Sequence, residues 1–241
     1  MKQVWIIAKR ELKSFFDSLI AYIMLILFLG FSGFFTWLFG SDIFFIGQAT
    51  LEPFFMIARW TLFFFIPALT MKMLAEEKRS GTIELLLTKG LNDWQLILGK
   101  FLASLLLIAI ALAFTLPYYV TISYLGPIDH GAVWSGYLGM ILMSMTYISI
   151  GLFASSQTNN QIVALLTALL IGTFFQIIFD VLAGNFTGFL GQFFSYLSLS
   201  THYESIARGV IDTKDLLYFL SITFFGLTLA ESVLSKRNIV E

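Results

Sequence analysis

Long apolar runs separated by short polar stretches dominate this chain. A membrane span needs about 20 predominantly apolar residues, and six stretches qualify: residues 19–40, 54–74, 97–123, 133–154, 162–183 and 216–235. The pattern ahead of the first run is different. On a helical wheel, Val4, Trp5, Ala8, Leu12, Phe15, Phe16 and Leu19 share one side and Lys2, Lys9, Arg10, Lys13 and Asp17 the other, with Ile6 and Ile7 breaking the separation. This predicts an amphipathic helix over residues 1–18 lying in the headgroup layer; the alternative is a plain basic flank. A cleavable leader is not expected, because the apolar run continues to Gly40.

Further along, Pro67 and Pro117 stand inside the second and third runs, where proline removes a helical hydrogen bond and kinks or ends the helix. Gly30, Gly33, Gly136, Gly139 and Gly151 are read as points of close helix contact. Residues 184–215 are too short to cross and return, yet carry Phe186, Phe189, Phe193, Phe194 and Tyr196 before Ser200-Thr201-His202-Tyr203-Glu204-Ser205. They are read as two short helices dipping into the outer leaflet, with an aromatic belt at the interface as the alternative.

Composition agrees with a polytopic membrane protein: 58% of the 241 residues are hydrophobic and 12% charged, against roughly 25% charged in soluble domains. The fold class is therefore all-α, one membrane domain over residues 1–241, with 1–18 interfacial, 19–183 holding spans one to five and a polar region at 75–95, 184–215 the outer helices, and 216–241 the sixth span and a tail. Charge distribution orients it. Lys2, Lys9, Arg10, Lys13, Lys72, Lys78, Arg79, Lys89, Lys100, Lys236 and Arg237 fall on one side, leaving Arg59, Arg208 and Lys214 of the 14 basic residues for the other. The positive-inside rule then places both termini in the cytoplasm.

Candidate chemistry is sparse. With no cysteine, thiol catalysis and thiolate metal sites are excluded. His130 and His202 lack ligand spacing, and no metal site is expected. Glu76-Glu77 lacks the arginine that completes an intramembrane-protease motif, Gly81 standing in its place, and Ser200, His202 and Asp212 make a weak triad. Gly99-Lys100 is not a phosphate loop, since Trp94 replaces the partner glycine and Phe101 the hydroxyl residue. No nucleic-acid partner is expected. Charges at membrane depth are functional candidates. Arg59 sits two turns into the second span with Glu52 seven residues earlier on the same face, as an internal pair or part of an outer gate; Asp180, near the end of the fifth span, is read as a gate residue or as reaching the headgroups.

The polar segment between spans two and three carries the most information. Gly81 permits a bend, Ser80 or Thr82 can cap a new helix, and Ile83-Glu84-Leu85-Leu86-Leu87 supplies about one and a half turns ending near Gly90. Asn92-Asp93-Trp94-Gln95 reads as a capped restart. The result is a short helix along the membrane surface presenting Glu84, Thr88 and Lys89, either a docking element or an interfacial linker.

Residues 66–103, and the Tyr203-Glu204-Ser205-Ile206-Ala207-Arg208-Gly209-Val210-Ile211-Asp212 segment, closely resemble permease subunits of ABC-2 type transporters, on the branch of gliding-motility-associated and copper-enzyme-maturation permeases. Lys89-Gly90 departs from it, where those permeases commonly carry a proline. The resemblance implies an exporter of the bacterial cytoplasmic membrane whose segment after span two is a coupling helix docked on a separate ATPase, which binds the ATP and Mg²⁺. Glu76, Glu77, Arg79, Gly81, Thr82, Glu84, Thr88 and Lys89 would form that docking region; Glu52, Arg59, Asp180, Glu204 and Arg208 are read from their charge as an outer gate or as internal pairing. It further implies two ATPases, a second permease copy or paralogue, and an auxiliary membrane protein with a large extracytoplasmic domain. The rival readings are a non-transporting membrane scaffold and an ion-coupled transporter; the latter usually shows internal repeats and midplane charges, neither of which is seen.

Overall fold

The computed structural model describes residues 2–38, 47–82 and 92–236. Every regular element among them is helical. The amphipathic α1 (Lys2–Asp17) is followed by a bend at Leu19, whose φ of 59° turns the chain into α2 (Ile20–Trp37). Then come α3 (Glu52–Thr70), the short α4 (Ala75–Ser80), α5 (Asp93–Ala113), α6 (Leu116–Leu125) and α7 (His130–Gln157). The fifth span is α8 (Gln161–Thr173), a π-helical turn (Phe174–Ile178) and α9 (Phe179–Asn185); α10 (Phe189–Leu197), α11 (Leu199–Ala207) and α12 (Thr213–Lys236) complete the order. Among the described residues six helical stretches are long and apolar enough to cross a membrane: Ile20–Trp37, Glu52–Ser80, Asp93–Leu125, His130–Gln157, Gln161–Asn185 and Thr213–Lys236.

The hub of the bundle is α7, packed by α3, α5, α8, α11 and α12. Burial covers 78% of its most apolar window against 22% for the fifth span, which places α7 at the centre and the fifth span at the edge. Small residues make this possible, since helices in lipid associate by close backbone approach. At Gly151 an added Cβ would lie 2.0 Å from Thr70 Oγ1, so α3 and α7 touch there with no room for a side chain. Gly30 differs from expectation: nothing lies within 4 Å of its Cβ position, so it is no helix contact among the described residues.

Local signals mark most boundaries. The third span breaks at Phe114–Thr115 and restarts with Pro117 in the first turn of α6, where the missing N–H costs nothing. The second span instead continues through Pro67 to Thr70 before the turn at Met71–Leu74. Asp129 caps α7 by accepting from the N–H of Gly131 at 2.8 Å, and Gln95 reaches back to accept from the N–H of Asn92 at 3.2 Å, the expected restart of α5. The two short helices expected in 184–215 are α10 and α11.

The packing face of α1 is rotated from the one the wheel suggested. Ile7 is 4% exposed and Trp5 55%, and the buried stripe is Ile7, Ala8 and Phe15. The cause lies on α5: an added Cβ at Gly99 would come within 2.5 Å of Ile7 Cγ2, so Ile7 fills the notch that glycine leaves. That rotation brings Glu11, one turn from Ile7 and one from Phe15, toward the bundle.

Candidate functional site: charged clusters at the two ends of the bundle

The first cluster joins α1, α4 and α5. Lys100 is a cation with 1% of its side chain exposed, and its Nζ lies 2.7 Å from Glu77 Oε1 and 3.5 Å from Glu11 Oε1. Arg10, half exposed, closes the ring at 2.5 Å from Glu11 and 3.8 Å from Glu77. A buried ammonium is tolerable only when paired and hydrogen-bonded, and here two carboxylates meet it. Burial pushes Glu11 up, but Lys100 and Arg10 outweigh burial and hold its carboxyl below the usual carboxylate range. Glu77 Oε2 is buried without a hydrogen-bond partner.

The same end of α7 holds α4 from the other side. Ser155 Oγ accepts from the N–H groups of Leu74 and Ala75, at 3.1 and 3.0 Å, and donates to the Met71 carbonyl at 2.9 Å. The opening turn of α4, whose N–H groups have no partner within the helix, is thus capped by a side chain from another span. Lys78 Nζ donates to the Ser156 carbonyl. Gly81, at φ 67°, ends α4 with its N–H on the Glu77 and Lys78 carbonyls. Of the docking residues singled out in the sequence, Glu77 faces inward while Glu76, Arg79 and Gly81 are exposed and Thr82 half-buried. Glu84, Thr88 and Lys89 lie outside the described residues.

At the opposite end of α3 the second cluster gathers the short helices. Arg59, with 14% of its side chain exposed, donates through Nη1 to Glu204 Oε1 at 3.3 Å and lies over the Tyr203 ring, 5.6 Å from its centre. Its expected partner Glu52 makes no ion pair among the described residues. Seven residues of helix separate the two by about 10 Å along the axis, and Glu52 stands in the first turn of α3, where the helix dipole favours an acid. Arg208 Nε donates to the Glu204 carbonyl at 3.1 Å. Asp180 accepts from Ser198 Oγ at 3.3 Å and Thr201 Oγ1 at 3.5 Å, so it ties the fifth span to the start of α11.

Two further ties hold α11. Ser200 donates to the Gln176 carbonyl at 2.9 Å, and Tyr147 donates to Gln176 Oε1 at 2.7 Å, so the π turn is fastened both to α11 and to the hub. His202 Nδ1 lies 2.6 Å from Asp215 Oδ1 of α12, its Nε2 is 3.1 Å from the Tyr196 carbonyl, and its ring stacks on Tyr218. Ser200 and Asp212 are thus not with His202 in a triad: Asp212 pairs with Lys214 instead. Among the described residues no group of three His, Asp or Glu is placed to hold a metal ion.

Sequence reading passed over Glu11, Lys100, Ser155, Gln176 and Asp215. Lys100 carried a signal, as a cation three residues inside an apolar run, and so did the Ile7, Glu11, Phe15 spacing. For Ser155 and Gln176 no local signal exists. No curated protein matches the chain. A family model does, over residues 5–235, and it takes in both clusters and all six spans: the chain belongs to the ABC-2 family of transporter proteins.

Proposed function

We propose that this ABC transporter permease is the membrane half of an exporter in the bacterial cytoplasmic membrane, both termini cytoplasmic, driven by a separate ATPase that docks on the segment beginning at Gly81. The working unit has two permease chains, identical or paralogous, and two ATPases that bind ATP and Mg²⁺; an auxiliary membrane protein with a large extracytoplasmic domain completes it. The finer likeness, to gliding-motility-associated and copper-enzyme-maturation permeases, rests on residues 66–103 and 203–212.

The observation that carries the reading is the Lys100, Glu77 and Glu11 cluster. It joins the helices on either side of the segment between Thr82 and Asn92, so a push on that segment would be passed to α1, α4 and α5. The ties of α11 to α3, the fifth span and α12 support reading the opposite end as the outer gate, with Glu52, Arg59, Asp180, Glu204 and Arg208 as its charged residues.

Co-purification tests this. A tagged chain should bring down an ATPase. Glu84→Lys should reach the membrane in normal amount yet lose the ATPase or uncouple its turnover from transport. Gly81→Pro should do more harm, since proline holds φ near −65° where the chain adopts 67°. Normal complex formation and transport in both variants would defeat the proposal, and a chain that recruits no ATPase would be a scaffold. For topology, Ser80→Cys should react with an impermeant thiol reagent only from the cytoplasm and Thr213→Cys only from outside; the reverse pattern would overturn the orientation.

A further inference from the structure

Between the start of α3, the turn joining α6 to α7 with the first turn of α7, and α11 opens a cavity of about 1410 Å³. This exceeds the roughly 300–1,000 Å³ of an ordinary small-molecule site. Its walls are apolar at Leu51, Phe55, Met56 and Val133, and its charged residues are Glu52, Arg59, Asp129, Glu204 and Arg208.

Two buried groups in that wall lack partners, and one exposed carboxylate is open to a cation. Arg59 Nε and the Tyr203 hydroxyl are buried without a hydrogen-bond partner, and Tyr203 is 4% exposed. Such groups call for an explanation. The anion that Arg59 does have, Glu204, sits on a side chain 62% exposed to the surroundings, so the pair is open to exchange. On the acidic side Asp129 is occupied by the Gly131 and Ala132 N–H groups, whereas Glu52 has neither an ion pair nor a side-chain hydrogen bond among the described residues.

From these observations we infer that the cavity binds a zwitterionic amphipath, its anionic group on Arg59 and Tyr203, its ammonium on Glu52 and the displaced Glu204, and its apolar part against Phe55 and Met56. A simple anion fits worse. Three carboxylates and two guanidiniums already line the wall, so a lone negative charge deepens the imbalance, while a zwitterion leaves it unchanged. A headgroup alone leaves the apolar wall and most of the volume unused. The site stands on the cavity and its charges, and binding is read without ATP or transport, so its failure leaves the permease reading untouched.

The test is equilibrium binding to the purified chain in neutral detergent of three probes: dihexanoyl phosphatidylethanolamine, dihexanoyl phosphatidylglycerol and phosphoethanolamine. The zwitterionic lipid should bind about tenfold or more tighter than either of the others, the scale of one charge-assisted hydrogen bond. Glu52→Gln, at an exposed position that leaves packing intact, should remove that preference for the ammonium-bearing lipid while leaving phosphatidylglycerol unchanged. Arg59→Gln should weaken both lipids. Equal or tighter binding of phosphatidylglycerol, equal binding of phosphoethanolamine, or an unchanged preference in Glu52→Gln would overturn the assignment.

Discussion

Lys100, fully buried, and Arg59, part-buried, are both cations near a helix end, and they are held in opposite ways. Lys100 is 1% exposed and meets two carboxylates that are themselves 15% and 18% exposed, one at 2.7 Å. Arg59 meets a single carboxylate at 3.3 Å on a side chain 62% exposed, and keeps an unpartnered Nε. Desolvated pairs with short contacts resist separation, whereas an exposed partner is screened by its surroundings and contributes little. The same chemistry thus makes a joint at one end and an exchangeable latch at the other. On the proposed coupling, motion imposed on the joint would reach the latch as movement of whole helices.

The sharpest way to break the contrast is Lys100→Met. It leaves Glu77 and Glu11 with only the half-exposed Arg10 for a counter-charge, and removing one partner of a buried pair costs about 3–5 kcal/mol. The variant should melt far below the wild type in detergent, or fail to accumulate. Ser155→Ala comes next. It strips the Leu74 and Ala75 N–H groups of their acceptor, at about 1–3 kcal/mol for buried groups left unmatched, and should appear as faster amide exchange confined to residues 74–80.

How far such partners were legible in the sequence depends on their separation along the chain. Hydropathy marks the spans because lipid demands long apolar helices, and Pro117, Asn92 and Gln95 mark boundaries because their effects are local. The clusters are not local: Lys100 and Glu77 are 23 residues apart and Arg59 and Glu204 are 145. The reading that paired Arg59 with Glu52 took the neighbour on the same helix, and tertiary packing supplied another. The face of α1 was misjudged for a related reason, because its depth is set by the glycine notch at position 99 on a different helix.

Smaller effects sharpen the other side of the comparison. Glu204→Gln should change the melting behaviour by no more than about 1 kcal/mol, as for an exposed pair; a loss as large as that of Lys100→Met would mean that the two ends are built alike. The smallest effect is that of mild acid. Because the folded-state value of Glu11 is depressed, its contribution to docking α1 is present above the ordinary glutamate value of 4.5 and lost only as pH falls through the lower folded value. Protease accessibility of residues 2–17 should therefore be the same at pH 7 and pH 5.5; release of α1 at pH 5.5 would contradict the role given to Lys100.

The central claim is that α1 and α4 move as one body, and the absence of native cysteine makes it directly measurable. Spin labels at Lys9→Cys and Ser80→Cys, both exposed positions, would report the distance across the joint in the ATPase complex with and without ATP, and a second pair at Ser80→Cys and Thr213→Cys the distance between the ends of the bundle. The account predicts that nucleotide shifts the second distance and leaves the first unchanged. A change across the Lys9 and Ser80 pair of roughly one helical turn, ~5 Å, with the end-to-end distance constant would contradict it.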